Sequence, residues 1–154
     1  MTQATERKDR TLYRTMFDQA DGKPEVGRSA DKLGVRIEAP RPRGKPDMTV
    51  GDDGRVRPGL KPEGMSVQID DPRDAMPHRL PPELGGSSRG VLYELDEAKL
   101  PVLLEVRSDH GHHAVIRPRR ECSLAEYEEA LSSTQSAWRP TDVTRFPRLP
   151  SKPR

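Results

Sequence analysis

Apolar positions in this chain come in short bursts, separated by stretches rich in proline, glycine and charge. Residues 1–10, "MTQATERKDR", contain no such burst and read as a loose N-terminal arm. "TLYRTMF" (11–17) is the first ordered candidate. Alternation supports a strand there, while the i, i+4 pairs Leu12/Met16 and Tyr13/Phe17 support a helix; strand is the preferred reading. "VGRSADKLGV" (26–35) predicts one helical turn, capped by Ser29 and ended by Gly34. "EAPRPRGKP" (38–46) is a loop, because proline removes donors and restricts its neighbours. In "MTVGDDGRVRPG" (48–59), Asp53-Gly54 between two β-prone pieces predicts a hairpin. "GMSVQID" (64–70) predicts a strand leaving a glycine, and "VLYEL" (91–95), "VLLEV" (102–106) and "HHAVI" (112–116) are three more apolar strands. Between them, residues 71–90 form a 20-residue stretch without periodicity, and loops of that length are often functional.

One helix stands out, "SLAEYEEALSSTQSAW" (123–138). Ser123 and Glu126 have capping-box spacing, and Leu124, Tyr127, Leu131, Thr134 and Trp138 fall on one face. Arg139-Pro140 stops it, and residues 140–154 read as a flexible Pro/Arg-rich tail. Short strands with few helices predict an α+β domain over residues 11–139.

Composition narrows this picture. Only 31% of residues are hydrophobic and 34% are charged, with 16 prolines and 12 glycines among 154 residues, so a small core under long loops is expected. The same composition fits a disordered chain, and the apolar bursts argue against that. Net charge is +2 with the two signs well mixed, which argues against a nucleic-acid surface driven by phosphate contacts. The single Cys122 excludes an internal disulfide and fits a reducing compartment. Neither a signal peptide nor an apolar run of roughly 18 residues is visible, so the expectation is a cytoplasmic protein without a membrane span, any export avoiding the signal-peptide route.

Three groups of residues carry candidate chemistry. His110, His112 and His113 cluster in "DHGHHAVIRP". In a continuous strand His110 and His112 would face one way and His113 the other. Asp109, His78 or Cys122 would complete a metal set, but C-x-x-C and H-E-x-x-H spacings are absent, so the expectation is no metal. Ser66 in "GMSV" follows a glycine, a geometry that lets backbone approach a ligand; the G-x-S-x-G elbow of hydrolases is not formed. Arg14, Arg28, Arg43 and Arg89 sit beside turn or strand signals, where a guanidinium fork can hold phosphate. "LGGSSRG" (84–90) lacks phosphate-loop spacing.

Read in order, "TLYR", "VGR", "PDMTVGDDGRVRPG", "GMSV", "LPPELGG", "HHAVIRP" and the 123–138 helix form a set. With that set the chain resembles the small ADP-ribosyltransferase-like toxins of bacterial type VI secretion, the bacteriostatic, quiescence-inducing effectors of the Tse type. The resemblance spans residues 11–139. It implies an ADP-ribosyltransferase-like split β-sheet with a cleft between two small sheets, and NAD as substrate. It places Arg14 at the basic position of the first core strand, Ser66 at the hydroxyl position of the second, and His113 in the cleft. Arg43 lies within one residue of another family arginine. Ser66 and His113 are then the catalytic candidates, and Arg14, Arg43, Ser66 and His113 the NAD-binding ones. A cognate immunity protein and the type VI secretion machinery are the implied partners. One departure is plain: residues 105–121 contain neither Q-x-E nor E-x-E, leaving Glu105, Glu121 or Glu126 as substitute carboxylates. The alternatives are a metal-independent ribonuclease toxin, with His112 or His113 as base and Arg14 on phosphate, or a binding domain with a vestigial cleft.

Overall fold

The computed structural model describes residues 9–37 and 46–147. Most of the N-terminal arm, residues 38–45 of the 38–46 loop with Arg43, and the last seven residues of the tail lie outside the described residues. In chain order the elements are β1 (Thr11–Met16), β2 (Arg55–Val56), β3 (Met65–Ile69), β4 (Val91–Asp96), β5 (Leu104–His110), β6 (His113–Pro118), β7 (Cys122–Ser123), α1 (Leu124–Ser132) and β8 (Arg139–Pro140). Six strands form one antiparallel sheet in the order β5-β6-β3-β1-β4-β8, and β2 pairs with β7 in a second, much smaller sheet. This is the expected α+β architecture, with the division between sheets highly uneven.

β1 is buried over Leu12–Met16 because both of its faces are covered, which is why its pattern read equally as helix. One face of the sheet carries Leu12, Met16, Met65, Val67, Leu95 and Ile116 and packs on Tyr127, Leu131 and Trp138. On the opposite face Tyr13, Leu80, Leu84 and Leu92 make a smaller cluster beside Phe146.

α1 has the capping box: Ser123 Oγ accepts from Glu126 N, and Glu126 accepts from Ser123 N, each at 3.0 Å. It stops at Ser132, short of the expected Trp138. The hydroxyls of Ser132, Ser133 and Thr134 donate to carbonyls three residues back, and a 3-10 turn, Gln135–Ala137, completes the segment. The predicted face survives, with Tyr127, Leu131, Thr134 and Trp138 all buried.

Three other expectations need correction. Residues 26–35 form no helix: Val26 and Leu33 bridge in parallel, and Ser29 Oγ accepts from Asp31 N in a single turn. The Asp53 turn forms, with Gly54 N donating to Gly51 O and Gly51 N donating to Arg55 O, each at 2.9 Å, but residues 48–51 form no strand and the ladder partner of β2 is β7. The described part of the expected tail, residues 140–147, is no free tail. Arg139 and Pro140 extend the sheet, Glu94 takes ion pairs from Arg145 (2.6 Å) and Arg139 (3.2 Å), and Phe146 packs edge-on against Tyr13.

Candidate active site

The sheet opens between its two central strands. β1 pairs with β4 over six residues and β3 with β6 over four, but β1 and β3 pair only at Leu12–Ile69 and Tyr13–Gln68. Beyond Tyr13 the two strands part, and the Arg14 guanidinium enters the gap. Its Nη1 donates to Ser66 O at 2.7 Å, its Nε to Lys32 O at 3.2 Å, and its Nη2 to Lys32 O, Ser29 O and Gly34 O at 2.9, 3.2 and 3.5 Å. Arg14 thus ties β1 to β3 and to the 29–34 loop, replacing ladder bonds that the split leaves unmade.

A cavity of about 180 Å³ lies at this split. Arg14, Ser66 and His113 all line it, although about fifty residues separate each from the next in the chain. Thr15 and Gln68 line it too, with Arg79, Met76 and Leu80 from the opposite wall. That wall is the 71–90 stretch. Pro72, Pro77 and Pro82 each begin a 3-10 turn, since proline at a first helical position gives up no hydrogen bond. Gly86 is required there, because a Cβ would overlap the Leu80 and Pro77 carbonyls.

The electrostatics are one-sided. Among the described residues no carboxylate lines the cavity. Arg14 is 6% exposed and makes no ion pair among the described residues, its partners being neutral carbonyls. Burial, and then repulsion from Arg79, push its pKa down to about 10, so it stays charged at neutral pH. Arg79 itself makes no ion pair among the described residues. A buried cation of this kind is stabilised by an incoming anion such as a diphosphate.

Polar acceptors line the same space. Thr15 Oγ1 and Gln68 Oε1 are buried and have no hydrogen-bond partner among the described residues. Such atoms carry a desolvation cost that a ligand donor can recover. Gln68 stands directly opposite His113 in the β3–β6 register. His113 Nδ1 lies 3.1 Å from Asp109 Oδ2. A carboxylate only accepts, so Nδ1 carries the proton and Nε2 is the basic atom of the neutral ring.

Ser66 is positioned from below. The Tyr127 hydroxyl donates to Ile116 O at 2.6 Å and accepts from Met65 N at 3.2 Å, clamping β6 to the start of β3. Burial raises the Tyr127 pKa, keeping it a neutral donor. Tyr127→Phe leaves the Met65 N–H and the Ile116 carbonyl without this partner. We expect a loss of about 1–3 kcal/mol, read by urea unfolding; a variant as stable as the parent sinks this account of the clamp. Gly64 is indeed needed for a close approach, but to the Ile116 carbonyl of β6 and not to a ligand.

The remaining candidates go elsewhere. Arg28 pairs with Glu128 at 2.6 Å, and Arg89 does not line the cavity. Arg43 lies outside the described residues. Glu105 pairs with Arg117, Glu121 with Arg55 and Arg57, and Glu126 caps α1, so none of the substitute carboxylates reaches the cavity. The histidines also differ from expectation. Gly111, at φ +52°, makes a turn before His112, so His110 and His113 face each other and their rings stack at 5.2 Å. His112 turns aside to Asp74 at 3.0 Å. Cys122 is buried in the main core, away from them.

Thr15, Gln68 and Arg79 were not singled out in the sequence. Alternation carries a signal for Gln68, which shares the Ser66 face two residues on; nothing local marks Thr15 or Arg79.

A family model described as the Tse2 ADP-ribosyltransferase toxin matches residues 10–138. The chain belongs to the Tse2 ADP-ribosyltransferase toxin family. The match runs from just before β1 through Trp138, covering the sheet, the split and α1. No curated protein and no solved structure matches the chain. The family carries toxin identity and ADP-ribosyl transfer, for which NAD is the substrate.

Proposed function

We propose that the cavity between β1 and β3 binds the nicotinamide end of NAD and that Arg14, Ser66 and His113 serve ADP-ribosyl transfer there. The supporting observation is that a buried cation without an ion pair and two unsatisfied polar acceptors share one cavity that, among the described residues, no carboxylate lines. Its volume is below the roughly 300–1,000 Å³ of pockets that enclose a whole ligand, so it suits one end of a dinucleotide.

In this reaction the bond from nicotinamide N1 to ribose C1′ breaks. The electron pair leaves with nicotinamide, which departs neutral, and positive charge develops on the ribose. Arg14, with Arg79 on the opposite wall, draws the diphosphate. Ser66 Oγ orients the ribose. Thr15 Oγ1 and Gln68 Oε1 offer neutral dipoles where related chemistry uses a glutamate. They stabilise the sugar cation without neutralising it. His113 Nε2, with Asp109 holding Nδ1, takes the proton from the attacking acceptor.

Toxin action follows from the family, and the cell biology belongs to the same proposal. The protein acts in the cytoplasm of a competing bacterium, reaches it through type VI secretion, and is held inactive in its producer by an immunity protein.

The test is induced expression in a susceptible bacterium of wild type, Ser66→Ala and His113→Ala. Growth, cellular NAD, ADP-ribosylated products and intact RNA are followed in each culture. Wild type arrests growth and yields ADP-ribosylated product, and both variants relieve the arrest at equal expression. Undiminished toxicity in both variants removes the site assignment, and arrest with fragmented RNA and no ADP-ribosylated product replaces the reading with a nuclease.

A further inference from the structure

We propose that Asp109, His110 and His113 form a binding site for a zinc-class divalent ion at the tip of the β5–β6 hairpin, and that an ion there changes the tautomer of the cleft histidine. The site is made by the turn. Gly111 and His112 reverse the chain, so His110 and His113 become cross-strand partners on one face. A register shift between Ser108 and His110 swings Asp109 toward both of them.

The spacing is that of ligands around one ion. Asp109 Oδ2 lies 3.2 Å from His110 Nδ1 and 3.1 Å from His113 Nδ1, and one donor atom from each residue fits within 4.8 Å of the other two. Donors at about 2.0–2.1 Å from a tetrahedral ion stand roughly 3.3–3.4 Å from one another. A small rotation of each side chain therefore admits the ion. Two imidazoles and a carboxylate suit zinc and its transition-metal neighbours and not magnesium or calcium, which take oxygen ligands. The His110 side chain is 78% exposed, leaving an open approach and room for water to complete the coordination.

The consequence lies at His113, which is both a corner of this triad and part of the cavity wall. Without the ion, Asp109 accepts a hydrogen bond from Nδ1–H and Nε2 is basic. With the ion on Nδ1, the proton moves through solvent to Nε2, and the ring presents a donor where it had presented an acceptor. The ion is thus an inhibitor of any step that uses Nε2 as a base. His112, paired with Asp74, takes no part.

The test uses the full chain, stripped of metal and titrated with zinc alone by calorimetry, and with cobalt for its visible absorption. Saturable one-to-one binding at micromolar strength or better is expected. Asp109→Ala and His110→Ala should each weaken it about tenfold or more, while His112→Ala leaves it unchanged. His110→Gln is the second variant should the alanine disturb the hairpin, checked by far-UV circular dichroism. Imidazole ¹⁵N NMR should show the His113 proton passing from Nδ1 to Nε2 on adding zinc. Non-saturable binding, or binding that survives both Asp109→Ala and His110→Ala, is an adventitious ion only and overturns the site. Saturable binding with an unmoved His113 proton overturns the switch. No readout involves NAD, so failure here and failure of the transferase reading are distinguishable.

Discussion

Arg14→Ala is expected to cost about 3–5 kcal/mol and to abolish function even where some folded protein persists. Four backbone carbonyls, from Ser29, Lys32, Gly34 and Ser66, take their guanidinium bonds from this one side chain. Each buried group left unpaired costs about 1–3 kcal/mol, and water entering from the adjacent cavity offsets part of the sum. For a domain whose total stability is of order 5–15 kcal/mol, that loss is large. It corresponds to a fall in melting temperature of about 10 °C or more. Arg14→Lys keeps the charge but cannot reach carbonyls on both β3 and the 29–34 loop, so it should recover only a minor share. Thermal and urea unfolding of the three proteins measures this directly. If Arg14→Ala loses under about 1 kcal/mol, the guanidinium does not hold the split together.

Gln68→Leu should behave in the opposite sense. Gln68 Oε1 is buried without a partner among the described residues, so replacing the amide with an apolar group of similar size removes a cost. Stability is expected to stay level or rise by up to about 1 kcal/mol. Activity should fall by about a hundredfold, the scale of losing one preorganised dipole at a developing charge. Thr15→Val, isosteric and at a buried residue, should repeat the pattern on β1. NAD turnover alongside urea unfolding reads both sides. A variant that is destabilised and inactive together points to a structural amide, and one that is fully active removes Gln68 from the cleft chemistry. The sheet offers an internal contrast, since Tyr127→Phe should lower stability at a position that touches no ligand.

Much of the fold was legible in particular residues. Ser66 sits on its predicted strand because Met65, Val67 and Ile69 alternate toward the core. The Ser123/Glu126 box begins α1 where its spacing predicted. β1 was ambiguous for a physical reason: a strand covered on both faces loses the alternation that identifies strands. The segment 26–35 has helix-like end signals, yet its turn is held by Arg14 from 15 to 20 residues away, which no local pattern encodes. The segment from residue 140 on reads as a tail because the fastening of this stretch, Glu94, which holds Arg139 and Arg145, lies on another strand.

Local sequence by itself settled what depends on neighbours along the chain: the alternation of β3, the helix cap, and the presence of Arg14, Ser66 and His113 with their chemistry. The tertiary structure alone decided which of these meet. Convergence at the split depends on strand order and on where the β1–β3 ladder ends, and those are set by long-range pairing free energies that no short window contains. The same holds for the histidines, whose facing was inverted by a two-residue turn, and for Thr15, Gln68 and Arg79, whose importance is created only by the cavity around them.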